Sequence, residues 1–269
     1  MKTIAVIGAG NMGSALIRGM IDTGYVKPEQ LYVCDHQREK LEDLAMQMPA
    51  VNYCEHAQDA AEAADIILVA VKPYSIVALF EEISPCLNGK AVVCIAAGWD
   101  NRMLREQLEG RGASWLRVMP NTPALVGEGM TALCEEHTLS DEDFTFVKGM
   151  FESVGRTAVV AEKLFDAVIA VSGSSPAYIY MLIEAMADAA VREGMTRNMA
   201  IEMAAQAVLG SALMVLSTGE HPARLKDAVC SPGGTTIDAV IELEAHGFRS
   251  AVMEAMEACA AKSRAMTKH

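Results

Sequence analysis

The sequence predicts an α/β fold, in which an N-terminal Rossmann-type doubly wound sheet is followed by an all-α C-terminal domain. Three observations lead to this prediction. Short β-rich runs alternate with helical patterns as far as about residue 160, strand signals then stop, and 269 residues exceed what one dinucleotide-binding domain needs. We therefore expect one domain over residues 1–160 and a second over residues 161–269.

The predicted strands of the first domain are short and rich in β-branched residues. They are Thr3–Ile7, Leu31–Cys34, Ile66–Val71, Ala91–Ile95, Trp115–Val118, Gly129–Cys134 and, more weakly, Thr157–Val160. Those that begin at Ile66 and Ala91 are apolar throughout, which is typical of strands buried on both faces of a parallel sheet.

Helical patterns separate these strands and continue alone through the second domain. In the first domain they are Met12–Thr23, Gln37–Met48, Tyr74–Ile83, Asn101–Glu109 and Asp141–Phe151. In the second they are Pro176–Glu193, Asn198–Ser217, Thr236–Glu244 and Arg249–Ala265, with a joining helix near Glu162–Val171.

Hydropathy and charge exclude several function classes. The two longest uncharged stretches, Ala167–Ile183 and Met203–Gly219, are shorter than the roughly 20 apolar residues of a membrane span, so we expect helices buried in the protein or at a subunit interface. The net charge of −13 disfavours binding to nucleic acid or to an anionic membrane. Because the chain starts with a strand and shows no leader, we expect a cytoplasmic protein.

Cysteine and histidine patterns favour neither disulfides nor a metal site. The seven cysteines form no Cys-x-x-Cys pair, and the six histidines are scattered, with no pair one helical turn apart. We expect reduced thiols that pack as small apolar groups, and no bound metal.

A glycine-rich turn follows the first strand and predicts a dinucleotide site. In Gly8-Ala-Gly10-Asn-Met-Gly13 the first glycine permits the tight turn, the second lets the backbone approach a pyrophosphate, and the third lets helix and strand pack closely. The N–H groups of Asn11 and Met12, at the start of the helix, then face the phosphates.

The second strand ends at Asp35, where an acidic residue usually accepts hydrogen bonds from the adenosine ribose. This position favours NAD(H). The following basic residues, His36, Arg38 and Lys40, are suited to a 2′-phosphate, and Asp35 also fits a helix cap, so the sequence leaves NADP(H) and NAD(H) both open.

Two further segments lie at strand ends on the edge where such sheets bind ligands. The run Ala70-Val71-Lys72-Pro73 fits a cofactor contact as well as a rigid turn. The same two readings hold for Asn121 and Thr122, which lie between prolines after a later strand.

The candidate substrate site is the turn Cys230–Asp238. It combines the hydroxyls of Ser231, Thr235 and Thr236 with the flexible pair Gly233-Gly234 immediately before a helix, a combination suited to binding a carboxylate. A well-capped turn between helices explains the pattern equally well. The segment Ser172–Tyr178 is a second predicted small-residue turn, for which close backbone packing is the simpler explanation.

Over essentially the whole chain these segments resemble the pyrroline-5-carboxylate reductase family. The motifs that carry the resemblance are Gly8–Gly13, Ala70–Pro73, Ile95–Gly98, Arg117–Ala124, Ser172–Tyr178 and His221–Ile237. The resemblance implies reduction of Δ1-pyrroline-5-carboxylate to L-proline with NADPH or NADH. It also implies a helical domain that joins two subunits, with homodimers that often assemble into decamers.

The resemblance also assigns roles to individual residues. The substrate carboxylate would lie on Ser231–Thr236, against the N–H groups of Gly234, Thr235 and Thr236, with the Thr236 hydroxyl beside the ring nitrogen. The cofactor would contact Ala70–Pro73, with Ala97 and Asn121 near the nicotinamide. Many members carry Ser, Thr, Asn or Arg around Cys34–His36, and Asp35 departs from that NADPH-favouring pattern.

The alternative enzyme class is another Rossmann-plus-helical reductase, of the β-hydroxyacid dehydrogenase or imine reductase type. Dehydrogenases of the first type use a catalytic lysine followed by asparagine on the first interdomain helix. Here the corresponding segment begins at Lys163 and reads Lys-Leu-Phe-Asp-Ala-Val, without the asparagine, which disfavours this alternative.

Overall fold

The structure, a computed structural model, describes residues 2–266 and contains one eight-stranded sheet. In chain order the strands are β1 Ile4–Ile7, β2 Leu31–Cys34, β3 Asn52–Tyr53, β4 Ile66–Val69, β5 Ala91–Cys94, β6 Ser114–Met119, β7 Gly129–Cys134 and β8 Gly155–Val160. Their order across the sheet is β3-β2-β1-β4-β5-β6-β7-β8.

The pairing confirms the predicted doubly wound sheet and extends it. Neighbouring strands from β3 to β6 are parallel, whereas β7 runs antiparallel to β6 and β8 runs parallel to β7. The chain moves outward from β1 to β3 and then returns to β4 on the other side of β1. This reversal opens a crevice at the carboxyl ends of β1 and β4, where such sheets bind their ligands.

Apart from those at Ala57–Ala63 and Pro222–Val229, the helices of the described residues lie where the sequence predicts them. The full set is α1 Asn11–Asp22, α2 Arg38–Gln47, α3 Ala57–Ala63, α4 Ile76–Glu82, α5 Asn101–Leu108, α6 Asp141–Glu152, α7 Phe165–Val168, α8 Ser175–Arg192, α9 Arg197–Thr218, α10 Pro222–Val229, α11 Thr235–Ala245 and α12 Phe248–Met266.

The core lies on both faces of the sheet, because every position of β1, β4 and β5 is buried. Alternate strand residues point to opposite faces. In β1, Ile4 and Val6 therefore join apolar residues of α1, α2 and α6, and Ala5 and Ile7 join those of α3, α4 and α5. These two layers fix the crevice rigidly at one edge of the sheet.

Three elements were not predicted from the sequence. Strand β3 has only two residues, and α3 buries only alanines on its inner side, so neither carries a strong apolar period. Helix α10 begins at Pro222, one residue after His221, whose Nδ1 accepts a hydrogen bond from the Ala223 N–H at 3.2 Å.

The predicted turn over Ser172–Tyr178 is reduced to a bend at Ser174, and α8 begins at Ser175, one residue before the predicted start at Pro176. A π-helical stretch, Ile169–Gly173, leads into α8, and the Ser174 N–H donates to the Ile169 carbonyl oxygen at 2.8 Å. A Cβ on Gly173 would lie 3.0 Å from the end of the Met119 side chain, so the chain is closely packed at this position.

The contacts divide the chain into two compact units. One comprises Met1–Ser174 with Cys259–His269, of which residues 1 and 267–269 lie outside the described part, and the other comprises Ser175–Ala258. Within the second unit α8 packs along α9, yet Ala187 is the only buried residue of α8, and α9 buries only Ala200 and Ala204.

Two long helical stretches of the described residues have the length and composition of membrane spans, Glu162–Arg192 and Arg197–Thr218. Only 11% of each apolar window is buried, so the expectation that the chain's own helices bury them is wrong. One or two helices of this length are weak grounds for a membrane span. The other predicted explanation, a subunit interface, is consistent with their exposure.

Candidate active site

The glycine-rich turn has the geometry that its sequence predicts. Gly8 has φ of +110°, and a Cβ there would lie 2.5 Å from the Ala70 carbonyl oxygen. A Cβ on Gly13 would overlap the Gly8 carbonyl oxygen, so α1 and β1 can approach this closely only through glycine. A Cβ on Gly10 would meet no atom within 4 Å, which leaves open space for a bound group.

The N-terminus of α1 faces this open space. Gly10 is its N-cap residue, no acidic side chain lies in its first turn, and the Ser14 hydroxyl donates back to the Gly10 carbonyl oxygen at 2.5 Å. The first N–H groups of a helix have no intrahelical acceptor. Those of Asn11 and Met12 therefore remain for an anionic group such as a pyrophosphate.

A cleft of about 870 Å³ runs along this edge of the sheet. It contains most of the predicted cofactor residues, namely Gly8, Gly10, Asn11, Met12, Asp35, His36, Ala70, Val71, Lys72, Pro73 and Ala97. Gly13 lies behind the turn, and the Asn121 side chain is not part of the lining. The cleft has the size of a pocket for a large organic ligand.

The Asp35 carboxylate is buried and ties the end of β2 to the glycine turn. Oδ2 accepts the Ala9 N–H at 2.7 Å, Oδ1 accepts the Gln37 N–H at 2.8 Å, and the side chain is only 4% exposed. It does not cap α2, because Gln37 is the N-cap residue of that helix. Oδ1 also lies 3.3 Å from His36 Nδ1, so Oδ2 is the oxygen that keeps a lone pair for a ribose hydroxyl.

The basic residues after Asp35 divide into two groups. His36 and Lys40 line the cleft, whereas Arg38 pairs with Glu42 at 3.1 Å on the solvent side of α2. Arg18 of α1 also lines the cleft and was not predicted as a site residue. Its position one turn after Ser14 on α1 was the only sequence signal for it.

The Lys72–Pro73 segment forms a rigid corner of the cleft. Residues Pro73–Ser75 make one 3₁₀ turn, closed by a hydrogen bond from the Ser75 N–H to the Lys72 carbonyl oxygen at 2.9 Å. The buried Trp99 donates from Nε1 to the Pro73 carbonyl oxygen at 3.2 Å. The two readings of this motif, cofactor contact and rigid turn, are therefore both compatible with its geometry.

The Asn121 side chain does not line the cleft, and its expected place near the nicotinamide stays a prediction. Its Nδ2 donates to the Ser172 carbonyl oxygen at 3.0 Å, and its Oδ1 accepts the Met130 N–H at 2.8 Å. With both ends of the amide engaged, the side chain holds the loop whose neighbours Pro120 and Thr122 line the cleft.

The candidate substrate turn lies in the second compact unit, between α10 and α11. Gly233 adopts φ of +69°, and the Gly234 N–H donates to the Ser231 carbonyl oxygen at 3.0 Å. The Gly234 N–H therefore closes the turn in this structure, and its contact with a carboxylate stays a prediction. The N–H groups of Thr235 and Thr236 start α11 and have no acceptor within that helix.

No group of three potential metal-binding side chains occurs among residues 2–266, and all seven cysteines are free thiols. Burial raises the pKa of the Cys34 and Cys94 thiols to about 11. Burial, with the neighbouring Glu136 carboxylate, raises the pKa of Cys134 to about 12. These three thiols remain protonated at neutral pH, which matches their predicted use as small apolar groups.

Two family models match the two parts of the chain. A model described as NADP oxidoreductase, coenzyme F420-dependent, matches residues 3–98, and one described as pyrroline-5-carboxylate reductase dimerisation matches residues 162–266. The first therefore contains the glycine turn and the crevice, and the second contains the turn at Ser231–Thr236.

Relatives of the same description match the chain from end to end. The pyrroline-5-carboxylate reductase of Escherichia coli (strain K12) is 49% identical over 268 residues, which cover 99% of both chains. A Plasmodium falciparum pyrroline carboxylate reductase solved with NADP bound has a TM-score of 0.89 at 33% identity and covers 99% of this chain and 98% of its own. One from Coxiella burnetii has a TM-score of 0.91 at 31% identity and covers 100% and 99%.

Proposed function

Because the chain belongs to the pyrroline-5-carboxylate reductase family, we propose that it reduces Δ1-pyrroline-5-carboxylate to L-proline with NAD(P)H, the last step of proline biosynthesis. The observation that carries this proposal is the end-to-end similarity, which includes both the glycine turn and the Ser231–Thr236 turn. The alternative class, another Rossmann-plus-helical reductase, is not favoured.

The first unit binds the dinucleotide, which supplies the hydride. The N–H groups at the start of α1, beside Gly10, hold its pyrophosphate, and Lys72 adds a positive charge in a protein whose net charge is −13. The nicotinamide lies toward Ala97. Asn121 acts indirectly, since it fixes the loop that bears Pro120 and Thr122.

The second unit holds the carboxylate of the substrate. The free N–H groups of Thr235 and Thr236 and the hydroxyl of Ser231 point to one anion, and the helix dipole of α11 adds to the attraction. Gly233 and Gly234 shape the turn. The Thr236 hydroxyl lies beside the imine nitrogen and orients it.

The reaction needs little acid–base catalysis by side chains. The imine is basic enough to be bound protonated, so hydride transfer to the imine carbon, which becomes C5 of proline, needs no strong acid, and a neutral hydroxyl would be a weak one. Most of the rate enhancement then comes from holding two reactants at near-attack distance, with the carboxylate and the pyrophosphate fixed at opposite ends.

Cofactor preference depends on Asp35. Its buried carboxylate is fixed by the Ala9 and Gln37 N–H groups, so it cannot turn away from a 2′-phosphate and repels it. His36 and Lys40 in the same cleft act in the opposite direction. We expect NADH to be used at least as well as NADPH.

The proposal extends to the assembly of the protein, its location in the cell and the limits of its two domains. Exposed apolar helices and the match to a dimerisation model support a homodimer, from which a decamer is built. We place the Rossmann domain at residues 1–160 and the dimerisation and substrate-binding domain at 161–269, in a cytoplasmic enzyme without nucleic-acid or membrane partners.

One assay tests the proposed function. The protein is mixed with Δ1-pyrroline-5-carboxylate and either NADH or NADPH, and oxidation of the cofactor is followed at 340 nm, with 3-hydroxyisobutyrate and NAD⁺ as the test of the alternative class. We expect proline to form and kcat/KM for NADH to equal or exceed that for NADPH. Absence of turnover with both cofactors would refute the function, and a strong preference for NADPH would refute the role of Asp35.

A further inference from the structure

Tyr74 lies at the edge of the cleft that contains the predicted cofactor residues, and its side chain is largely exposed to solvent. It lines the cleft and is 86% exposed, more than any other large apolar side chain of the described residues. Its hydroxyl makes no hydrogen bond to residues 2–266. An aromatic side chain can bury about 150–250 Å² of surface, so leaving it exposed to water is unfavourable.

The backbone that carries this ring is held in place from three sides. Pro73 fixes φ at the start of the 3₁₀ turn, and the Ser75 N–H closes that turn on Lys72. Trp99 holds the Pro73 carbonyl oxygen and packs edge-on against Phe80, with ring centroids 5.9 Å apart. The ring is therefore displayed from a rigid support and is not the end of a loose loop.

The surroundings of Tyr74 indicate what covers it. The same cleft contains Gly10, Ala70 and Ala97, and their small size leaves space for a long flat ligand. A dinucleotide has two planar heteroaromatic rings, and an exposed aromatic side chain stacks well on such a ring.

We propose that Tyr74 stacks on one of the two planar rings of the bound dinucleotide and so contributes to cofactor affinity. The proposal rests on the proposed function only in taking a dinucleotide as the ligand of the cleft. Stacking on the adenine ring is the same in the ground state and in the transition state, because that ring takes no part in the reaction. With that contact, loss of the Tyr74 ring raises the KM for the cofactor and leaves kcat unchanged.

Three variants test the proposal in the steady-state assay with NADH. Tyr74→Ala removes the ring, Tyr74→Phe keeps it, and Val77→Ala is the control, since Val77 is exposed one helical turn further on but does not line the cleft. We expect Tyr74→Ala to raise the KM for NADH about five- to tenfold, the lower part of the range for stacking contacts. Tyr74→Phe and Val77→Ala should stay within about twofold of the wild type.

Binding of half-ligands identifies the ring. Reduced nicotinamide mononucleotide is titrated by its fluorescence, and ADP-ribose by calorimetry, against the wild type and Tyr74→Ala. Weaker binding of ADP-ribose alone assigns the contact to adenine, and weaker binding of the mononucleotide alone assigns it to the nicotinamide. If Tyr74→Ala leaves the KM for NADH and both dissociation constants unchanged, or lowers kcat alone, the proposal is wrong.

These measurements separate the failure of this proposal from failure of the proposed function. Turnover by the wild type with Δ1-pyrroline-5-carboxylate tests the function, whereas dissociation constants for NADH, ADP-ribose and the mononucleotide require no substrate. An unchanged affinity in an active Tyr74→Ala enzyme overturns only the stacking contact.

Discussion

At the scale of single residues, Thr236 is the side chain on which the proposed chemistry most depends. It lies in the first turn of α11, where the backbone N–H is free of an intrahelical acceptor, and the residue is half-buried. A hydroxyl in this place orients a nitrogen by hydrogen bonding, and its proton is too weakly acidic to drive the reaction.

Thr236→Val is therefore expected to lower kcat about 10- to 100-fold without abolishing turnover, since general acid–base groups typically contribute 10²–10⁴-fold and an orienting group contributes less. The branched shape is kept, so the melting temperature should change little. Thr235→Val in the same turn is the matched comparison, with a smaller effect on kcat. Complete inactivity of a folded Thr236→Val protein would contradict the orienting role.

The buried thiol of Cys94 is expected to make the stability of the protein depend on pH in the alkaline range. Burial raises the pKa of its thiol to about 11, so the unfolded chain releases this proton first as the pH rises above about 9. The unfolded state then binds fewer protons than the folded state, and the free energy of unfolding decreases between about pH 9 and pH 11.

In Cys94→Ala we expect the free energy of unfolding to decrease less between pH 9 and pH 11 than in the wild type, because the titrating group is removed. Urea unfolding at pH 8, 9, 10 and 11 measures it, with Cys259→Ala as a control. The decrease in the free energy of unfolding that is due to Cys94 is on the order of 2–3 kcal/mol between pH 9 and pH 11, at about 1.4 kcal/mol per pKa unit. Equal slopes in the wild type and in Cys94→Ala would show that this thiol does not contribute.

At the scale of elements, the glycine turn joins β1 to α1, and its residues Gly10 and Gly13 have different roles that can be tested separately. Gly13 faces the Gly8 carbonyl oxygen, whereas Gly10 faces empty space and has an extended backbone that any residue adopts. The first is needed for packing, and the second is needed for a ligand. Substitution by alanine separates the two requirements.

Gly13→Ala should lower the free energy of unfolding by about 1–3 kcal/mol, because the overlap of Cβ with the Gly8 carbonyl oxygen exceeds what alanine gains in helix propensity. Gly10→Ala should keep the wild-type melting temperature and weaken NADH binding at least tenfold, since its methyl group enters the cleft. Calorimetric melting and NADH fluorescence titration measure the two effects. Tight NADH binding by Gly10→Ala would place the pyrophosphate elsewhere.

The elements also show what a local pattern can reveal. Strands β4 and β5 occur where the apolar runs predict them, because strands in the middle of a parallel sheet are buried on both faces. The last two residues of the π-helical stretch before α8, Ser172 and Gly173, were predicted as part of a turn, since Ser and Gly weaken a helix locally.

At the scale of the whole molecule, the helices α8 and α9 leave many large apolar side chains in water. Met181 and Met203, among others, are more than half exposed within a single chain. Exposed apolar surface of this extent marks an interaction site in soluble proteins. The match of residues 162–266 to a dimerisation model supports a second copy of the chain as the partner.

Light scattering after gel filtration tests the assembly. The wild type should give a multiple of the 28.8 kDa chain mass, and Met203→Glu should give a lower mass or aggregate, because a charge replaces an apolar contact. Met46→Glu is the control, since Met46 is exposed on α2 in the first unit. A monomeric wild type, or an unaffected Met203→Glu assembly, would contradict the proposed interface.

The sequence by itself determined the doubly wound sheet, the helical second half, the dinucleotide turn and the family. These follow from signals carried by consecutive residues, such as apolar runs, glycine spacing and long motifs. Only the tertiary structure decided the partners of Asp35 and Asn121, the use of the Gly234 N–H within its turn, and the presence of Arg18 and Tyr74 in the cleft. The physical reason is that each of these depends on which hydrogen-bonding groups and which space the fold brings within a few ångströms, and residues distant in sequence supply them.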